Sequence, residues 1–352
     1  MHNQKESRSA IVGKWESVKD WVNWSWVKNG LTVVFFGLVA YLLYQQAVTI
    51  EWGKVLETLK NTSMATLATG FGLGVLCYFV YASYDLFGRY LLGLKVSMAK
   101  TWFVAWLSYA FNLNLSSLVG GIAFRYRLYS RLGVKAGDVT RILGISIATN
   151  WLGYILLAGG LFVSGQIDPP DSWSVTNTHL QFIGAGFIAV VLLYLGLCAF
   201  SKKRELQIRD TTITLPPVSI ALLQFVVACA HWTLMASVIY QFLADDLNFA
   251  TVFAVLLVSS LAGVITHIPG GLGVLEAVFL ALLAGQVEKS TILGSLFAYR
   301  CVFYLIPLAI ATPTYLIFEA LTRPPEDDKD TTDDKADSRP KNDSAIAEAE
   351  SV

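Results

Sequence analysis

Charged side chains inside apolar sequence are the first residues whose chemistry asks for an explanation. Glu276 lies in HIPGGLGVLEAVFL (267–280) and Arg300 in SLFAYRCVFYLIPL (295–308). A carboxylate or guanidinium is costly in such surroundings and marks a functional pair or a buried structural one. Arg300 is the natural counter-charge for Glu276, and the two together would form a gating or coupling ion pair. Arg125 and Arg127, interleaved with Tyr126 and Tyr129 in GGIAFRYRLYSR (120–131), have the fork geometry that grips phosphate bidentately. They read as a lipid-phosphate site or as anchors at a membrane boundary; Arg131 and Arg141 read as anchors. Gly270, Gly271 and Gly273 precede the Glu276 arm. They either free the first backbone N–H groups of a helix toward an anionic headgroup or make a packing turn. Asn112, Asn114, Ser116, Ser117 and Asn150 line a headgroup path or hydrogen-bond between helices. Asp85 and Arg89 have the i, i+4 spacing of a surface pair. His267 reads as a satisfied buried histidine.

Other chemistry is missing. Cys77, Cys198, Cys229 and Cys301 all fall in apolar runs, and with the scattered His2, His179, His231 and His267 they form no metal-ligand spacing. Neither a nucleophile–base constellation nor a nucleotide-binding loop of Walker type occurs. The expectation is a protein that is not an enzyme, holds no metal or cofactor and binds no nucleic acid.

The elements that must position these residues are membrane helices. Of the 352 residues, 55% are hydrophobic and 15% charged, against roughly a quarter charged in soluble domains. Apolar runs long enough to cross a ~30 Å hydrocarbon core lie near 31–50, 64–87, 142–165, 182–200, 218–243 and 291–319. Segments 101–121 and 251–285 behave differently. With the N-terminal Lys/Arg set in the cytoplasm, a simple span at 101–121 would put the basic cluster Arg125, Arg127, Arg131, Lys135 and Arg141 outside. The positive-inside rule places such a cluster inside, so 101–121 is expected to enter and return. As one straight helix, segment 251–285 would be about 50 Å long, and it is broken at Pro269-Gly270-Gly271. It is expected to be a second re-entrant hairpin, opening from the other side.

The predicted fold is therefore all-α and polytopic, with about six full spans and two re-entrant hairpins, or eight plain spans. Residues 30–165 and 166–322 form two membrane repeats of inverted orientation, the signature of secondary transporters. Residues 1–29, with Ile11, Trp15, Val18, Val22 and Trp26 on one stripe, read as a cytoplasmic amphipathic segment. Residues 323–352 read as a disordered acidic cytoplasmic tail; from Pro324 onward they carry ten acidic and four basic residues. Both termini are expected in the cytoplasm. Gly70 and Gly74 form a small-xxx-small pair, for helix packing or for a homodimer.

The stretches NLNLSSLVGGIAFRYRLYSRLG (112–133), TRILGISIATNWLGYILLAG (140–159), LVSSLAGVITHIPGGLGVLEAVFLALLAG (257–285) and AYRCVFYLIPL (298–308) resemble the YbhN-type family of bacterial inner-membrane proteins. That family is related to the flippase half of lysylphosphatidylglycerol synthase, the MprF family. The resemblance, over roughly residues 30–320, implies a phospholipid-translocating membrane domain in a bacterial inner membrane. Those longer relatives carry a soluble aminoacyl-transferase domain where this chain has its acidic tail, so the lysyl-transfer activity is not implied. Three functional classes follow. One is a flippase or scramblase for anionic phospholipid, handing lipid to a periplasmic carrier protein. Another is a transporter for a small anion or ion, with a closed pore lined by Glu276 and Arg300. The last is a membrane scaffold or partner-dependent component of envelope lipid transport.

Overall fold

The computed structural model describes residues 62–115, 117–165, 176–201, 205–208, 211–243, 247–266 and 271–322, with isolated positions between 34 and 60. The amphipathic segment 1–29, most of the 31–50 span, Asp168 and Asp171, Ser116, His267, Gly270 and the tail 323–352 lie outside them.

The described helices begin with α1 (Met64–Ala82) and α2 (Tyr84–Leu91), which continue as one rod interrupted at Ser83. Ser63 caps α1 by accepting the Thr66 N–H, and Ser97 caps α3 (Met98–Asn114) by accepting that of Lys100. Both caps satisfy donors that a helix start leaves open. Then comes a π-helical stretch (Ser117–Ala123) running into α4 (Phe124–Arg131). The long α5 (Ala136–Ser164) ends at Gly165, whose φ of +67° closes the helix in the left-handed region that glycine tolerates. Next is α6 (Asn177–Phe200), started by a Thr176–His179 capping box, followed by a two-stranded antiparallel ribbon of β1 (Glu205–Ile208) and β2 (Thr211–Thr214). The chain continues with α7 (Val218–Leu243), α8 (Phe249–Thr266) and α9 (Val274–Leu282). It closes with α10 (Lys289–Arg300), a second π-helical stretch (Cys301–Leu305) and α11 (Ile306–Leu321).

Six rods among the described residues are long and apolar enough to cross a membrane: 64–91, 136–164, 177–200, 218–243, 249–266 and 289–321. Five coincide with expected full spans. The sixth, α8, was expected only as the first arm of a hairpin, yet its 18 residues reach about 27 Å. Its return arm α9 has 9 residues, about 14 Å, roughly half the hydrocarbon thickness. Large side chains stand outward on α6, with Phe182 74%, Leu192 63% and Leu193 65% exposed, a contiguous apolar face of the sort found in contact with lipid.

Two places double back. After α3 the chain reverses at Leu115, and Phe111 stacks on Phe124 at 4.0 Å between ring centroids. A Cβ on Gly120 would lie 2.3 Å from the Asn112 backbone nitrogen, so only glycine permits the two arms to touch. The arms, 98–114 and 117–131, are longer than the expected 101–121, because Arg125 and its neighbours belong to the hairpin itself. In the second half α9 folds back against α8. Around them, α1 packs on α7, and α5 packs on α6 and α7. Gly70 serves this packing: a Cβ there would meet Phe242 of α7 at 2.9 Å, and one on Gly74 would touch Phe303 at 3.5 Å. The small-xxx-small pair is thus occupied within the chain.

Candidate functional site

Each hairpin is closed by an arginine that grips a carboxylate and a glycine carbonyl together. In the second hairpin the Arg300 Nε donates to Glu276 Oε1 at 2.5 Å. Its Nη2 donates to Glu276 Oε2 at 3.0 Å and to the Gly271 carbonyl at 3.0 Å. The guanidinium also lies 5.4 Å from the Tyr304 ring centroid. The sequence-predicted counter-charge is therefore the actual partner. Gly271 and Gly273, with φ of +57° and +78°, bring the chain round to α9, and Gly273 is its N-cap. That helix start faces Glu276 in its own first turn, where a carboxylate complements the helix dipole. Gly271 presents its carbonyl to Arg300.

In the first hairpin the Arg125 Nε donates to Asp85 Oδ2 at 3.0 Å, its Nη1 to the Gly121 carbonyl at 3.0 Å and its Nη2 to the Tyr81 hydroxyl at 3.3 Å. Asp85 also accepts from the Tyr129 hydroxyl at 2.9 Å and the Ser146 hydroxyl at 2.6 Å. This corrects two expectations. Asp85 is no surface partner of Arg89: it is wholly buried, while the Arg89 Nε donates to the Val96 carbonyl at 2.5 Å. Nor does Arg125 lie open to a phosphate, since its donors point at protein acceptors and its side chain is 3% exposed. The π-helical stretch ahead of it explains the fit. Wider turns leave carbonyls without their usual i+4 donor, and Arg125 supplies one to Gly121.

Arg127 and Arg131 converge on one carboxylate. Arg127 forks onto Glu319 of α11 at 3.2 and 2.7 Å. Arg131 bonds the same carboxylate and the Thr322 carbonyl. Read as a phosphate ligand and an anchor, they instead tie the first hairpin to the end of the last helix.

The amide nitrogen of Asn114 donates to the Ala110 carbonyl at 2.8 Å and to that of Tyr304 at 3.2 Å, joining the first hairpin to the second π stretch. Its amide oxygen is buried without a partner among the described residues. Asn112 sits where the hairpin arms approach most closely: a Cβ on Gly121 would lie 2.7 Å from its side-chain oxygen. The backbone carbonyl of Asn150 accepts from the Trp232 indole at 3.2 Å.

Beside the Asp85–Arg125 clamp lies an aromatic layer that the sequence pattern did not single out. The Tyr81 and Tyr109 rings stack at 3.6 Å, and the Tyr109 hydroxyl meets His231 Nε2 at 3.0 Å. The Tyr84 ring stands edge-on to the same histidine at 5.6 Å. His231 Nδ1, the Tyr84 hydroxyl and the Ser108 hydroxyl are buried without partners among the described residues. Nothing in the local sequence around His231 announces this; the signal was a histidine inside an apolar span, the same one that singled out Glu276. No group of His, Cys, Asp and Glu suited to a metal occurs among the described residues.

Comparison with known proteins places this architecture. The model of the lysylphosphatidylglycerol synthase transmembrane region matches residues 30–311. The chain is 44% identical over 298 residues to the inner membrane protein YbhN of Escherichia coli, covering 84% of this chain and 94% of that one. It is 30% identical to an uncharacterized Synechocystis protein, over 77% of this chain and 84% of the other. It is 24% identical to the phosphatidylglycerol lysyltransferase of Staphylococcus xylosus, over 81% of this chain and only 33% of that enzyme. The chain thus spans about a third of that lysyltransferase. With six apolar rods and this kinship, the chain belongs to the lysylphosphatidylglycerol synthase transmembrane-region family, as an all-α, multi-pass inner-membrane protein.

Proposed function

We propose that the protein moves anionic phospholipid across or out of the inner membrane, and that its two helix hairpins are re-entrant halves of an inverted repeat enclosing the route. The observation that carries this reading is the Glu276–Arg300 clamp. It sits at a break between helices, inside apolar sequence, with the glutamate side chain 22% and the arginine 10% exposed. Irregular backbone at membrane depth persists where it faces protein or a wet cavity. A guanidinium fork holds phosphate as it holds carboxylate, so a lipid phosphate can take the place of Glu276 on Arg300. The released carboxylate then loosens α9 from α10, opening the hairpin, and its return expels the phosphate. The Asp85–Arg125 clamp, at 0% and 3% exposure, is sealed and acts as the fixed hinge of the other half. The kinship supports the substrate class, because phosphatidylglycerol stands in the name of the lysyltransferase relatives.

The test is transbilayer movement of a fluorescent phosphatidylglycerol in proteoliposomes, with and without an ion gradient. Wild type should move it well above empty vesicles. Arg300→Gln should reduce movement to background, and Glu276→Gln should retain lipid but slow its release. Background movement in the wild type, or an Arg300→Gln rate equal to wild type, overturns the reading.

A further inference from the structure

The other basic end of the bundle has a guanidinium with no such engagement. Arg89, Arg125, Arg127 and Arg131 all donate to protein acceptors. Arg141 is exposed and has no ion-pair partner among the described residues. It stands at the mouth of a groove of about 330 Å³ between α5, α6 and α7, a size within the usual range of ligand sites.

The walls of this groove change character with depth. Along α5, Thr140, Arg141, Gly144, Ile145 and Ala148 fall on one stripe and line it. Leu91 and Leu215 close its sides with apolar surface. Its floor is polar: the Tyr194 hydroxyl donates to Gln224 Oε1 at 3.1 Å, and Gln224 Nε2 donates to the Thr149 hydroxyl at 2.7 Å. Gln224 is 2% exposed. An amide nitrogen carries two hydrogens, and one of those on Gln224 goes to Thr149. A buried donor gains from a partner, and a ligand seated in the groove can supply one. From Arg141 to Ala148 the helix rises about 10 Å, so the charged mouth and the polar floor lie one and a half to two turns apart.

We propose that this groove holds one phospholipid, its phosphate on Arg141 and its glycerol-ester region over Gln224 and Tyr194, with an acyl chain leaving along the apolar wall. Charge at the mouth, a hydrogen-bond donor deeper in, and apolar sides opening beside the lipid-facing α6 match the three zones of a phospholipid in order. The site deepens the transport reading as a lateral waiting position for its substrate, and rests on that reading only for its purpose; binding here is separable from movement. Gly144 is the place to fill the groove, since it lines the groove and a Cβ there meets nothing within 4 Å.

The experiment is a phosphatidylglycerol titration of the full chain in mild detergent, with bound lipid counted by native mass spectrometry. Thermal melting serves as the fold control. Arg141→Gln should weaken retention of one lipid by about ten-fold or more, as loss of a charge-assisted contact does. Gly144→Leu should abolish it, with both variants melting as wild type, and inorganic phosphate should not compete. Equal retention in wild type and Gly144→Leu overturns the site, as does displacement by inorganic phosphate. Should wild type bind this lipid yet move none in proteoliposomes, the transport reading fails and the site stands. Movement without retained lipid at the groove removes the site and leaves transport standing.

Discussion

Asp85 and Arg125 meet in a network of protein hydrogen bonds and with almost no exposure. A buried pair of this kind contributes little net stability against an apolar replacement, but breaking it leaves a charge that nothing compensates, at about 3–5 kcal/mol. Asp85→Asn should therefore lower the melting temperature strongly in detergent, and Asp85→Asn with Arg125→Met should recover most of the loss. If the double variant melts no higher than the single one, the cost lies in packing rather than in stranded charge. The two clamps were unequally legible. Glu276 and Arg300 are rare charges in apolar runs, so their partnership follows from the cost of burying either alone. Arg125 lies in a basic cluster and Asp85 four residues before Arg89, and each had a plausible local explanation. The true partner, forty residues away, is chosen by tertiary packing, which local spacing does not encode. The Glu319 partner of Arg127 and Arg131 was hidden by a larger separation, 192 and 188 residues.

At the scale of elements, span positions were readable because a membrane helix needs a minimum run of apolar residues, and the described rods fall where those runs lie. The π-helical stretches were not readable. An extra residue in a turn rotates the facing of every later side chain on the helix without altering hydrophobicity, yet the stretch ends two residues before Arg125 and the other begins just after Arg300. The tightest point of the first hairpin offers a direct test. A Cβ on Gly120 falls 2.3 Å from backbone atoms of Phe111 and Asn112; backbone does not yield as a side-chain tip would, so the arms must separate. Gly120→Ala should melt well below wild type and lose the protection of its hairpin amides from hydrogen exchange. Gly72→Ala, where a Cβ meets nothing within 4 Å, should match wild type. Equal stability of the two would mean that the arms are not in contact.

The whole molecule turns on how many times the chain crosses between its halves. From Lys135 to Lys289 it runs through α5, α6 and α7, each long enough to span, and then through α8 and α9. The return arm α9 is too short to cross at about 14 Å. If α8 and α9 enter and leave by the same face, three crossings separate the two lysines and they lie on opposite sides. If α8 crosses fully and the chain continues from there, the lysines share a side and the halves are not inverted. In a chain whose four native cysteines are replaced by serine, Lys135→Cys and Lys289→Cys distinguish these outcomes with an impermeant thiol reagent. Lys135→Cys should be labelled only after the cytoplasmic face is exposed, because it sits among the basic residues that the positive-inside rule retains there. Lys289→Cys should be labelled in intact cells. Labelling of both from one side would dismantle the inverted repeat, and with it the symmetry that makes the second clamp the mobile counterpart of the first.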